Sequence, residues 1–491
     1  MAAAQGDHCA LLSIFSSSHP CFNDVCFATL MSRLGRLPKR DAAAAKRDER
    51  YRTLLAMLPA IVQEGGAQAI SNIAHALAKL EEQSEESGAV LDAVEERADW
   101  FVDQGSPQNI ANAAWAFAAL NRHAPALFSA IDARADWLVR ESEPQHVANT
   151  AWAFATLRLD APALFPAINE RAHWLVNQSK PQAVSNTAWA FATLGIAAPT
   201  LFSAIDARAE WFVQESKPQE IANTLWAFAT LRRDAPALVS AIEARADWLV
   251  RESDARAISN TAMAFAELSA SAPNFWACLE RRGEAFAARA NVQDVCTTAW
   301  ALAVGGRTNT NSGLLRLLWG EAMAAGDGAI SAENVSQLMQ VGLHAQGDGV
   351  KLQSAPDALK QKMLEAAADT TLTSSGRFED RVARYLTDLG LKHTRQYPAL
   401  GAKFAGYLAV DFAVQANDGA KTVLECDGPL HYLHGPLGEG AGRETGPTVA
   451  KRRLLERRGW RVVNLPWFQF RKLLREGGGE AVKRWLAKAI K

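Results

Sequence analysis

The chain has few cysteines, no long apolar run and almost no net charge. Its six cysteines, Cys9, Cys21, Cys26, Cys278, Cys296 and Cys426, form no CxxC pair and no metal-ligand spacing. A disulfide scaffold and a zinc module are thereby excluded, and a reducing compartment is expected. No apolar stretch approaches the ~20 residues that cross a bilayer, so no membrane partner is expected. The formal net charge of −1 hides an asymmetry, because residues 451–491 carry 13 Lys/Arg against 3 Glu. Such a split points to an anionic partner for the C-terminal part.

What the chain does have is repetition. NTAWAFATL occupies 149–157 and again 186–194, and NTLWAFATL stands at 223–231. Trp115, Trp152, Trp189 and Trp226 are spaced 37 apart, with Met263 and Trp300 continuing the series. Trp100, Trp137, Trp174, Trp211 and Trp248 keep the same step, as do Asn112, Asn149, Asn186, Asn223 and Asn260, and the prolines from Pro125 to Pro273. A fixed period of this length is the mark of a repeat architecture.

One unit, SEPQHVANTAWAFATLRLDAPALFPAINERAHWLVNQ (about 142–178), reads as two helices. Ser142, three residues before Gln145 and with Pro144 between them, resembles a capping-box start. Val147, Ala151 and Phe154 then follow at helical spacing, with Trp152 inside the apolar stripe. RLDAP is a turn, and Leu164, Ile168, Ala172 and Leu175 align a second helix. Neither stripe can be buried alone but stacked copies can bury both, which makes an α-solenoid of about 37-residue helix pairs. Worn copies at 70–80, 291–304 and 333–345 extend the array over residues 49–370, after an N-terminal segment 1–48. Residues 1–40 are poor in acids, rich in Ala and Ser, and end in a basic cluster, as organellar transit peptides do. Asp7 and Asp24 weigh against that, and an ordinary tail is the alternative.

Three sets of repeat positions are candidates for function. Trp152 and its equivalents read as interlocking core residues, with a row of base-stacking platforms as the alternative. Asn149, Asn186 and Asn223 form either a hydrogen-bonded ladder or a ligand-facing row. After the near-constant Pro-Gln come Asn109, His146, Ala183, Glu220, Ala257 and Asp294, which vary at one fixed position. That is what a modular reader of bases would show, and equally what an unconstrained site would show. The array resembles the octotricopeptide-repeat class and the helical part of proteins related to the FAST kinase-domain family. Both resemblances imply organellar RNA binding.

After about 375 the style changes. A helix (378–389), a Gly390 stop and a polar strand lead to β-type runs at 407–415 and 421–432. Next come a Gly-rich loop (LGEGAGRETGPT), a basic helix (451–460), a strand over 461–470 and a last helix, which together make a small α/β module. Asp411, Glu425 and Asp427 would converge from neighbouring strands, with Glu379 as a further acid. Such carboxylates can hold Mg²⁺ and activate water against a phosphodiester. Equally, Asp427-Gly428 is a turn and Glu425 pairs with Arg452 or Arg453. Lys451, Arg452, Arg453, Arg457 and Arg458 would suit phosphates, or else form a solvated face.

LECDGPLHYLHG…ETGPTVAKRRLLERRGWRVVNLPWFQF resembles a RAP domain. The resemblance rests on Leu424 to His431, Thr448 with Lys451, Gly459-Trp460, and Pro466-Trp467, and spans roughly 405–470 of a 375–491 domain. RAP domains are similar to the PD-(D/E)XK nuclease core. That likeness implies Asp411 and Glu425 as metal-binding acids and places Asp427 where active nucleases keep Lys; Lys451 is the candidate replacement. The resemblances together imply an organellar protein, mitochondrial (matrix) or plastid, that binds single-stranded RNA in RNA processing, stability or translation control. Residues on the variable and Asn positions, His431 and the basic helix would make the contacts, alongside ribonucleoprotein partners. No cofactor is expected unless the module cleaves RNA with Mg²⁺. A metal-dependent endoribonuclease using Asp411, Glu425, Asp427 and Lys451 is one alternative, and a protein-interaction scaffold is another. Without a transit peptide the chain would be cytoplasmic.

Overall fold

The computed structural model describes residues 8–326, 328–368, 376–401, 408–415, 420–435 and 442–490. The chain divides into two units, Met1–Ile205 and Asp206–Lys491. Among the described residues no helix is long and apolar enough to cross a membrane.

In the first unit the helices Ala67–Lys79, Pro107–Ala119, Pro144–Thr156 and Pro181–Thr193 stack one on the next. The N-terminal segment does not trail away from them. His8–Ser18, Asp24–Leu34 and Lys39–Ala45 are helical and bury Leu12, Phe15, Met31 and Leu34; Asp24–Leu34 packs on the first of the stack, and His8–Ser18 packs on the other two. In the second unit the same stacking runs through Pro218–Thr230, Ala255–Glu267, Val292–Val304 and Ala332–Gly347.

Two expectations about the repeat are corrected. The second helix is two short helices, Leu164–Glu170 and Ala172–Gln178, broken at Arg171 (φ −94°, ψ 16°). Ser142 does not begin a capping box. It ends the preceding helix with its hydroxyl buried, and Glu143 is the N-cap of Pro144–Thr156 without a side-chain bond. Capping boxes do form at Ser106–Asn109 and Asn291–Asp294.

The break at Arg171 follows from what holds successive repeats together. Helices of seven to nine residues are too short to persist alone, and their end groups need partners. Those partners come from the neighbouring repeats. Asp132 accepts from the amide of Leu164 (2.8 Å), one repeat on. Asn169 does the same for Leu201 (3.2 Å), Asp206 for Leu238 (2.8 Å), and Glu243 for Phe275 (3.1 Å). Two residues later an arginine reaches backwards. Arg134 donates to the Val102 carbonyl and Arg171 to the Val139 carbonyl, both at 2.6 Å. Each arginine also lies over the tryptophan three residues on, at 3.7–4.1 Å from Arg97–Trp100 through Arg245–Trp248. Carboxylate or amide oxygens thus meet helix N-termini and cations meet C-terminal carbonyls, each where the helix dipole favours it.

The core residue of the first helix is Phe154 rather than Trp152. Phe117, Phe154, Phe191, Phe228 and Phe265 are fully buried. Phe128 and Phe165 pack edge-on against Phe154 and Phe191 of the following repeat, with centroids 4.8 Å apart.

The C-terminal module comprises a lead helix (Arg377–Asp388), β1 (His393–Pro398), β2 (Ala409–Gln415), β3 (Lys421–Glu425), the basic helix (Gly446–Arg457), β4 (Arg461–Asn464) and a last helix (Trp467–Ile490). The sheet order is β1-β2-β3-β4, antiparallel except for the parallel β3–β4 pair. Two strands are shorter than the sequence suggests. β3 stops at Glu425, before the Asp427-Gly428-Pro429 turn, and β4 stops at Asn464, because Pro466 starts the last helix by accepting from Phe470. Residues 436–441 of the Gly-rich loop lie outside the described residues. One core joins Phe412 and Leu424 to the lead and last helices, and a second joins Val410, Val423 and Leu454 to Met339 and Leu343 of the repeats.

Replacing Arg171 by Met is expected to expose the Val139 carbonyl and lose the contact with Trp174, at a cost of about 1–3 kcal/mol. Hydrogen exchange of the flanking repeats should show that loss, while exposed Arg140→Ala changes little.

Candidate functional site

Two separate features carry candidate function. The first is a stripe on the first helices of the repeats. Gln145 is exposed, and Asn149, Trp152 and Thr156 are half-buried at i+4, i+7 and i+11, so they share one face. Trp115, Trp189 and Trp226 are half-buried in the same way, as are Asn112, Asn186 and Asn223. These four tryptophans are therefore not the buried core residues expected from their place in the apolar stripe, whereas their equivalent Trp300 is buried. Their rings pack along the stack: Trp115 and Trp152 are stacked with centroids 6.5 Å apart, and His75 lies 5.0 Å from Trp115. Lys79 sits over the Trp115 ring at 4.9 Å. Between adjacent repeats a pocket of about 180 Å³ is lined by the amides of Gln145, Asn149, Gln182 and Asn186 together with Glu143 and Lys180.

The variable position behaves differently. Asn109, His146 and Glu220 are half-buried, and Ala183, Ala257 and Asp294 are buried. Asn109 donates to the Ser71 hydroxyl (3.1 Å), and Asp294 accepts from Ser259 (3.1 Å), each across to the preceding repeat. Glu220 caps its own helix through the Lys217 amide. At Asn109 and Asp294 the position therefore lies in the seam between first helices, where a polar side chain must find its partner in the neighbouring repeat.

The second feature is a carboxylate cluster at the end of β2 and β3. Asp411 lies one residue beyond the Phe412–Leu424 pair, which sets it opposite Glu425. Its Oδ2 accepts from the Cys426 amide at 2.7 Å. Lys451 reaches in from the basic helix and donates to Glu425 Oε2 at 2.8 Å and to the Ala409 carbonyl at 3.0 Å. Glu425 therefore pairs with Lys451, not with Arg452 or Arg453. Asp427 is buried and held by Asn464, by Tyr432 (3.4 Å) and by His431 (3.5 Å). Burial pushes the Glu425 carboxyl up to about 7, opposed by Lys451 and reinforced by Asp411 and Asp427. Burial and the nearby Asp411 also raise Glu379, which accepts from Gln396 at 3.3 Å. The donor set does not fit a resident Mg²⁺. Among the described residues no three His, Cys, Asp or Glu side chains converge as metal ligands, and a lysine already bridges the oxygens.

The arginines of the basic helix have partners within the chain. Arg453 donates to the carbonyls of Ala303 (2.7 Å) and Val304 (3.0 Å), at the C-terminus of a first helix. Arg457 pairs with Asp348, Arg458 bonds Gln346 (2.9 Å) and Arg452 bonds Glu444 (2.7 Å). Further along, Arg443 meets Asp234 (2.6 Å), and His434 exchanges backbone bonds with Arg232 and Asp234. The module thus docks along the ends of first helices, where arginines suit the negative end of the dipole. Sequence reasoning missed this use of the arginines. Their spacing matches a phosphate-binding helix just as well, and the partners of Arg453 and Arg458 lie 112 or more residues away.

A repeat array closed by a small mixed-sheet module is the class that this geometry defines. The comparisons with known proteins agree with it. Residues 139–341 match the family described as RNA-editing substrate-binding complex 6 protein. Residues 424–478, which follow the tandem helical repeats, match the RAP domain. No curated protein matches the chain.

Two outcomes test the docking. A Cβ at Gly446 would stand 1.6 Å from the Ala266 carbonyl, so Gly446→Ala should displace the basic helix and speed hydrogen exchange over 442–457. His344 is fully buried beneath this interface, and its pKa is lowered from 6.5 to about 3 by burial and then by Arg453 and Arg457. Protonation of the unfolded chain below pH 6.5 then draws stability away as the pH falls. His344→Leu is expected to narrow the drop in melting temperature between pH 7 and pH 5 relative to wild type.

Proposed function

We propose that the chain is an RNA-binding protein of RNA processing that holds single-stranded RNA along the Gln–Asn–Trp stripe of its repeats. The observation that carries this reading is the half-buried tryptophan position repeated beside a line of amides, with Trp115 and Trp152 stacked on each other. Indole faces stack any base, and amides can satisfy base edges. The same side chains recur in successive repeats, so contacts are sequence-tolerant: equal residues cannot discriminate different bases. The matches to an RNA-editing complex family and to the RAP domain support the ligand class and support assembly with other ribonucleoprotein components. An organellar location, mitochondrial or plastid, follows from the resemblances to organellar repeat proteins. We assign no cleavage step to the RAP domain, because Lys451 occupies the carboxylates that a metal would need.

Trp115→Ala with Trp152→Ala is expected to weaken binding of a 12-nucleotide single-stranded RNA by about 1–3 kcal/mol per lost stack. The salt slope should change little, since the stripe has few cations. Unchanged affinity in this double variant, with circular dichroism intact, would move the RNA off the stripe. No affinity for RNA at low salt in the wild type would favour a scaffold for other proteins.

A further inference from the structure

The carboxylate cluster of the RAP domain contains an interaction that the RNA-binding reading does not use. Glu425 is only 5% exposed, and its Oε1 is buried without a hydrogen-bond partner. Its other oxygen, Oε2, binds Lys451, whose ammonium also takes the β2 carbonyl of Ala409. Two strands therefore offer hard oxygens to one cation, and that cation is a side chain. Asp411 adds negative charge beside it but spends Oδ2 on the Cys426 amide. Asp427 is turned to Asn464, Tyr432 and His431. A buried carboxylate with no countercharge is costly, so some cation has to be there.

We infer that the Lys451 ammonium is the resident cation of this cluster, standing where a divalent ion would bridge Glu425 and the β2 backbone. The native domain accordingly takes no divalent metal there, and removing the lysine charge creates a site for one. The donors left behind are both Glu425 oxygens, the Ala409 carbonyl and Asp411, an all-oxygen set of the kind that Mn²⁺, Mg²⁺ and Ca²⁺ accept. Lys451 is thus a positioning residue. It ties the basic helix to β2 and β3, and the same helix carries Arg453 to the repeat carbonyls. This inference does not depend on whether the repeats bind RNA.

The test uses the full-length chain with Mn²⁺ as probe, counting free Mn²⁺ by electron paramagnetic resonance. Wild type and Glu425→Gln are expected to bind Mn²⁺ identically. Lys451→Met should gain one Mn²⁺ per chain, on the order of tenfold tighter than background surface binding. The added site should vanish again in Lys451→Met with Glu425→Gln, and Mn²⁺ should raise the melting temperature of Lys451→Met alone. A wild-type Mn²⁺ site abolished by Glu425→Gln would overturn the inference, as would a folded Lys451→Met that gains none. If Lys451→Met does not fold, the comparison of wild type with Glu425→Gln decides by itself.

Discussion

The structure depends on an exchange of caps between successive repeats. Each second-helix segment carries an acid or amide that closes the helix start of the next repeat, and two residues on, an arginine that closes the helix end of the previous one. Helices of seven residues could not otherwise satisfy their backbone groups. The cost of this arrangement is local: the chain must leave helical geometry at Arg134, Arg171 and Arg245 so that the side chain can point backwards. Stacking each guanidinium on a tryptophan holds it in place with little loss of rotamer freedom.

The RAP domain attaches by the same chemistry. Arg453 binds the carbonyls at the end of Val292–Val304 much as Arg134 binds those of the preceding repeat. Its sheet then shares a core with the last repeat helices through Met339, Leu343 and Leu454. A module fixed through arginine, carbonyl and apolar contacts has its basic helix committed to the array. Arg453, Arg457 and Arg458 therefore serve assembly of the chain with itself.

Function falls to surfaces that the packing leaves over. Phenylalanine fills the core, and Trp115, Trp152, Trp189 and Trp226 lie on the half-buried shoulder of their first helices, near Asn112, Asn149, Asn186 and Asn223. In the function proposed above, that set would hold the ligand by shape and stacking.

The sequence by itself determined the period, the helical face of each repeat, the start of the α/β module and the identity of its acids. These are local properties, carried by residues at fixed spacings of a few or 37 positions. It did not determine whether Trp152 or Phe154 is core, since both lie on one wide apolar stripe and differ by the packing of the next repeat. Nor did it determine the partners of Lys451 and Arg453, because a charge run looks the same whether it meets phosphate, a buried carboxylate or helix carbonyls. Only the tertiary structure brought Glu425 and the Ala303 carbonyl to that helix, 26 and 150 residues away along the chain. Charges are paired by distance in space, and sequence spacing fixes that distance only within a single element.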